Sequence, residues 1–89
     1  LDFDFKSRLQ EMVVKEKGIL PRYRIEEEGP DHQKVFHATV YVGNRRVGKG
    51  SGRSKKEAEQ EAARAALENP SWRGGKIPRN RERKAKEGG

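Results

Sequence analysis

The 89-residue chain has no cysteine, which rules out a disulfide framework and thiolate metal sites. Its two histidines, His32 and His37, are too few to form a zinc site by themselves. No apolar run approaches the ~18 residues needed to cross a bilayer, and no signal-peptide pattern is visible. A soluble, cytoplasmic chain with no membrane contact is expected. Hydrophobic residues make up 30% of the sequence and aromatic residues 7%, enough for one small domain with a thin core. The sequence starts at Leu1 rather than methionine, which suggests a fragment of a longer protein.

Charge, by contrast, is abundant. Charged residues are 39% of the chain and the formal net charge is +7. Residues 1–68 carry 14 Lys and Arg against 12 Asp and Glu, whereas residues 69–89 carry 7 against 2. The body is nearly balanced and the excess sits at the C-terminal end. An overall basic pI is therefore weak support for a polyanionic partner, and the placement of individual charges matters more.

The pattern predicts an α+β domain of order α-β-β-β-α, a three-stranded antiparallel sheet with both helices packed on one face. Asp4 can cap a first helix over Phe5–Lys17, in which Phe5, Leu9, Met12 and Val13 form an apolar stripe. Ser7, Gln10, Glu11 and Val14 lie opposite, and Gly18 and Pro21 end the helix. Arg22–Glu28 alternates as a strand, and a turn-rich loop, Gly29-Pro30-Asp31-His32-Gln33-Lys34, follows. Val35–Val42 is the clearest strand, with Phe36, Ala38, Val40 and Val42 on one face. Gly43-Asn44 fits a two-residue hairpin turn. A third strand covers about Arg45–Lys49 and fades into Gly48, Gly50 and Gly52. In the second helix the expected apolar stripe is Ala58, Ala62, Ala65 and Ala66. The domain is expected over 4–68, after a linker remnant at 1–3. Residues 69–89 read as a disordered basic tail, in which Trp72 either docks on the domain, stacks on a nucleotide, or does neither.

The start of the second helix contains an electrostatic conflict. Ser54 and Glu57 have the spacing of a capping box, yet Lys55 and Lys56 occupy the first two helical positions. The amino end of a helix already carries about half a positive charge, so each exposed lysine there costs about 0.3–1 kcal/mol. Helix amides and two lysines together form an anion site, which a phosphate backbone would stabilise; Arg53 and Lys49 could widen it. A solvated, charged first turn is the alternative. The Gly-rich approach GKGSG is not a mononucleotide loop, because G-x-x-x-x-G-K-[ST] is missing and no parallel strand follows. Alternation splits Glu26, Glu27 and Glu28 between two faces, which argues against a metal or catalytic cluster. His37 lies on the sheet face away from the helices and is assigned no role.

Three separated segments, LQEMV in the first helix, GPDHQKVF around the first loop and GRSKKEAEQEAARAAL at the end, together resemble the double-stranded-RNA-binding domain. LQE with GP-x-H-x-K-x-F is most similar to the C-terminal domain of bacterial ribonuclease III. The resemblance covers about residues 4–68 and implies three contact regions. Ser7, Gln10 and Glu11 on the outer face of the first helix would meet one minor groove, and Pro30 and His32 in the loop would meet the next. Lys55 and Lys56, with Ser54 as cap and Arg53 beside them, would bridge the major groove through phosphates. Lys34 matches the loop lysine less closely.

The residue chemistry fits this layout on its own terms. A-form RNA hides its major groove and displays 2′-hydroxyls in a shallow minor groove. Gln10 and Ser7 can donate and accept, and Glu11 can accept from a hydroxyl. A carboxylate is repelled by phosphate, so Glu11 belongs on such a surface only where a hydroxyl donor meets it. The expected function is shape-selective binding of duplex RNA, with no catalytic residue, metal, cofactor or small-molecule ligand in this chain. The resemblance places Mg2+ only in the nuclease domain of a parent ribonuclease III, itself expected to be a homodimer, with the isolated domain monomeric. The alternatives are a protein-interaction or dimerisation domain, and nonspecific polyanion binding through the tail.

Overall fold

The computed structural model describes residues 4–75 of the chain. Helix α1 spans Phe5–Lys17, strands β1, β2 and β3 span Arg22–Glu28, Val35–Val42 and Arg45–Gly52, and helix α2 spans Lys55–Glu68. Short 3-10 turns occupy Asp31–Gln33 and Pro70–Gly75. The sheet is antiparallel in the order β1-β2-β3. The order and the single helical layer agree with the sequence pattern.

Leu9 and Val13 are completely buried, with Phe5 and Met12 packed at the edge of the core. Ala38, Val40 and Val42 supply the sheet side. Val14 stays exposed, as its position opposite the stripe requires. The two-residue connection between β2 and β3 brings Val42 opposite Arg45, with Gly43 at φ +63°.

Strand β3 runs three residues further than expected, to Gly52. Its glycines let it continue beneath a helix. A Cβ at Gly50 would sit 2.3 Å from the Ala62 nitrogen, and one at Gly48 would sit 2.4 Å from the Ala62 oxygen. The strand backbone thus lies directly against the helix backbone. The facing helix residues are alanines for the same reason: the contact is close rather than bulky.

The buried stripe of α2 is Ala58, Ala62, Ala63 and Ala66, which corrects the expected set. Ala65 is only partly buried and Ala63 replaces it. The reason is that α2 packs against α1 as well as the sheet. Lys6 of α1 pairs with Glu59, and the Phe5 amide donates to Gln60 Oε1 at 2.8 Å. Ala63 lies on this side of the helix, so the buried arc is wider than a single-partner stripe would be.

The structured region also extends past residue 68, where a disordered tail was expected. Trp72 is only 3% exposed and belongs to the core cluster, and its indole Nε1 donates to the Ala66 carbonyl at 3.0 Å. Arg73 then pairs with Glu16 of α1, Nε donating at 3.1 Å to Oε2 and 3.2 Å to Oε1. This contact holds the Glu16 carboxyl below its usual range and raises the Arg73 guanidinium, the hydrogen bond between them being the main cause in each case. The rest of the predicted tail, residues 76–89, lies outside the described residues, as does the 1–3 linker remnant.

A buried Trp is a large share of so thin a core. Trp72→Ala should lower stability by about 3–5 kcal/mol, read as a fall in the urea midpoint. Trp72→Phe keeps most of the volume but loses the indole donor, and should fall between the two.

Candidate nucleic-acid interface

The amino end of α1 is fixed by a compact hydrogen-bond set. Asp4 caps the helix, accepting from the Ser7 amide (3.3 Å) and the Ser7 hydroxyl (2.9 Å). The Gln60 amide joins this end to α2: it accepts from Phe5 and its Nε2 donates to Asp4 Oδ1 at 2.7 Å. Together these donors, Gln60 first and Ser7 next, lower the Asp4 carboxyl to about 2. The outer face of α1 is therefore held at a set angle to α2. Gln10 and Glu11 project from it into solvent, as does the edge of Ser7. Ser7 spends its proton on Asp4 and keeps acceptor capacity for a ligand.

The loop between β1 and β2 is rigid for its size. Gly29 has φ +97°, and a Cβ there would be 2.6 Å from the Gln33 oxygen. Only glycine tolerates both conditions. The Gln33 amide donates to the Pro30 carbonyl at 2.9 Å, which closes the 3-10 turn. Pro30 and His32 are exposed at its tip.

Lys34 behaves differently from the other expected contacts. Its ammonium donates to Glu27 at 3.1 Å and lies 3.4 Å from Asp31. These bonds, Glu27 first, raise its pKa. Its charge is balanced inside the loop, so in this geometry it braces the turn. Glu27 is thereby accounted for: it shares a sheet face with Tyr23 and Ile25 but remains exposed, whereas Glu26 and Glu28 face the other side, as alternation requires.

At the start of α2 the Ser54 hydroxyl accepts from the Glu57 amide at 3.0 Å. The reciprocal bond differs from a standard capping box. Glu57 Oε1 accepts from the Arg53 amide at 2.7 Å, one residue before the cap. Gly52 allows this, because Glu57 lies where its Cβ would be, with 2.6 Å from that position to Glu57 Cγ. The carboxylate is thus folded back under the turn. Among the described residues Lys55 and Lys56 pair with no acid, and both are exposed. Arg53, His32, Lys34, Asp31 and Phe36 line one depression between loop and helix start, so the second and third expected regions adjoin. Lys49 does not widen this patch: Gly48 and Gly50 face α2, so Lys49 points to the opposite side of the sheet.

Residues 5–69 match the family model for the double-stranded RNA binding motif. The chain belongs to that family. Curated relatives include Ribonuclease 3 of Thermobifida fusca, 56% identical over 63 residues, and Ribonuclease 3 of Carboxydothermus hydrogenoformans, 54% identical over 66. These alignments cover 71% and 73% of this chain but 26% and 28% of the relatives, so the chain spans about a quarter of their length. Among solved structures, Arabidopsis HYL1, described for its implications for miRNA processing, superposes with a TM-score of 0.67 at 42% identity, covering 75% of this chain and 96% of that one. Dicer from Pichia stipitis gives 0.60 at 34%, covering 73% and 32%. The α-β-β-β-α arrangement is thus that of the family's solved members.

Nothing in the sequence pattern pointed to Gln60 as the joint between helices, because a polar residue on a helix flank looks solvated until its partner helix is placed. Trp72 offered a signal, being the only tryptophan in the chain. Asp4 gives a pH test. Its folded pKa lies below the ordinary value of 3.8, so it contributes stability above that pH and loses it as pH falls toward about 2. Asp4→Asn keeps a capping oxygen but removes the titration. Its thermal midpoint should change less than that of the parent between about pH 5 and pH 2.

Proposed function

We propose that the domain grips A-form RNA duplex through three regions carried on one scaffold. Ser7, Gln10 and Glu11 meet 2′-hydroxyls in one minor groove. Pro30 and His32 meet the next minor groove. Arg53, Lys55 and Lys56 lie against the phosphates between them, with Ser54 holding the helix start in place. The observation that carries this reading is the pair of exposed lysines at the α2 amino terminus, which pair with no acid among the described residues, while Glu57 is folded back to the Arg53 amide. A positive helix end with two added cations is unfavourable alone and is offset when an anion arrives. The duplex covered is about 16 base pairs, read by shape more than by sequence.

The likeness to ribonuclease III relatives supports a place as the substrate-holding part of such an enzyme. In that reading cleavage, Mg2+ and dimerisation belong to the remaining three-quarters of the parent, in the cytoplasm. This domain would add affinity as a monomeric unit, with no catalytic group or cofactor of its own. Val14, Ile19 and Leu20 are exposed apolar side chains and favour a protein-interaction role as the second reading. They lie at the carboxyl end of α1 and just beyond it, remote in sequence from the lysines.

Gel-shift titration of ~20-base-pair duplexes tests the proposal. Duplex RNA should bind more tightly than an RNA–DNA hybrid and duplex DNA, since 2′-hydroxyls on both strands are read. With about three to five phosphates neutralised, log K should fall against log salt with a slope of about −3 to −4.5. Lys55→Ala with Lys56→Ala should nearly abolish binding and flatten that slope by about 2. Equal affinity for RNA and DNA duplexes would overturn the reading. A truncation meant to test the basic tail has to end after Gly75, because removing Trp72 would destabilise the domain as well as change its charge.

A further inference from the structure

The solvent face of the sheet carries a second arrangement of charge, which adjoins α2 along the β3 edge, where Arg46 and Lys49 line depressions shared with Glu68, and Lys49 one shared with Glu61. Register places Arg24, Thr39 and Lys49 in one row across the three strands, and Arg22, Tyr41 and Arg46 in the next. Strand spacing and rise set these four cations at the corners of a rectangle of about 10 by 7 Å at the level of their backbones. The hydroxyl of Thr39 and the ring of Tyr41 lie along its middle. Arg46 and Lys49 are three residues apart in one strand, so simple alternation would send them to opposite faces. A bulge between Val40 and Tyr41 absorbs Val47, which is buried, and brings both cations to the same side. Bulges re-aim side chains in this way.

The cations differ in what already occupies them. The Arg22 guanidinium donates to the Gly43 carbonyl at 3.1 Å and lies 4.9 Å from the Tyr41 ring centre. Arg24 is 3.6 Å from Glu26, both well exposed. Among the described residues Arg46 and Lys49 have no acidic partner. The row beyond belongs to Glu26, His37 and Ser51. There His37 Nδ1 is 2.8 Å from Ser51 Oγ and its Nε2 is 2.6 Å from Glu28 Oε1. That row ends the cationic field and satisfies itself, so the basic area is bounded toward the acidic end of the sheet.

We infer that this hairpin end of the sheet is a binding platform for single-stranded RNA. The phosphates would run between the Arg22–Arg24 side and the Arg46–Lys49 side, and a base would stack on Tyr41. An aromatic surface flanked by cations is the arrangement that holds single strands without sequence choice. A duplex can meet the cations through its phosphates but cannot stack on Tyr41, because paired bases within a helix present no open face. The platform lies on the opposite side of the sheet from α1 and α2, so strand and duplex occupy different surfaces. It stands or falls separately from the duplex reading.

Fluorescence anisotropy of a labelled ten-nucleotide uridine RNA and of a 20-base-pair RNA duplex, each with the full 89-residue chain, tests this. Arg46→Glu with Lys49→Glu should weaken the single strand by about tenfold or more and leave the duplex within about twofold. Tyr41→Leu, which changes no charge, should weaken the single strand by about fivefold or more. Lys55→Ala with Lys56→Ala should do the reverse, losing the duplex and keeping the strand. The platform is wrong if single-strand binding is absent in the parent chain, or if the Arg46 and Lys49 changes leave it intact, as they would were residues 76–89 the attachment point. A loss of both RNAs together in those variants would also overturn it, as would an unchanged strand affinity in Tyr41→Leu.

Discussion

The close approach of α2 to β3 sets the position of everything else. Ala62 meets the backbones of Gly48 and Gly50 with no room for a Cβ between them. A contact of this kind has little freedom to slide, because any larger side chain on either side would force the elements apart. It fixes the height of α2 above the sheet, and so the height of Ser54, Lys55 and Lys56 at its amino end. The same helix then locates α1 through Gln60, which joins the α2 flank to the Asp4 cap. The two helices are thus referenced to one strand, and the outer face of α1 and the start of α2 are held at a set separation. Recognition by shape requires a fixed separation of this kind, since a duplex offers its grooves at intervals that cannot adjust.

A core built from alanine and glycine gains fixed geometry at the expense of buried area. Each alanine removes little apolar surface from water. Leu9, Val13 and Val40 are the largest side chains buried completely. Trp72 makes up part of the deficit, adding its ring to the core beyond the last turn of α2. Its indole nitrogen satisfies the Ala66 carbonyl, one of the four carbonyls a helix leaves open at its end. Arg73 extends the closure to α1 through Glu16. The physical domain therefore runs past the point where the helix stops and past residue 69, where the family match ends.

Much of this was legible in the sequence because it is local. Asp4 and Ser54 as caps, Gly18 as a helix stop, Gly43-Asn44 as a turn and the alternation of β2 all follow from dihedral preference and period. Lys55 and Lys56 stood out for a local reason too, being the wrong charge at a helix start. What could not be read depends on two elements meeting. The exchange of Ala65 for Ala63 in the buried stripe needed the direction of α1. The extension of β3 to Gly52 needed the helix that lies on it, since glycines in a strand ordinarily signal its end. The pairing of Lys34 needed the distance to Glu27, seven residues away along the chain but adjacent across the loop.

Glu57 links stability and binding at one residue. The Glu57 carboxylate does not extend along the helix surface. Instead it bends back over Gly52 to the Arg53 amide. The helix start gains a satisfied backbone donor, and the Lys55 and Lys56 side chains stay exposed to solvent. Gly52 is what makes both possible, because a side chain there would occupy the space the carboxylate needs. The glycine that ends the strand and the helix start are in this sense one device: the first clears the path by which the Glu57 carboxylate reaches the Arg53 amide. Glu59, the acid spaced to face Lys55 and Lys56, is held by Lys6 of α1.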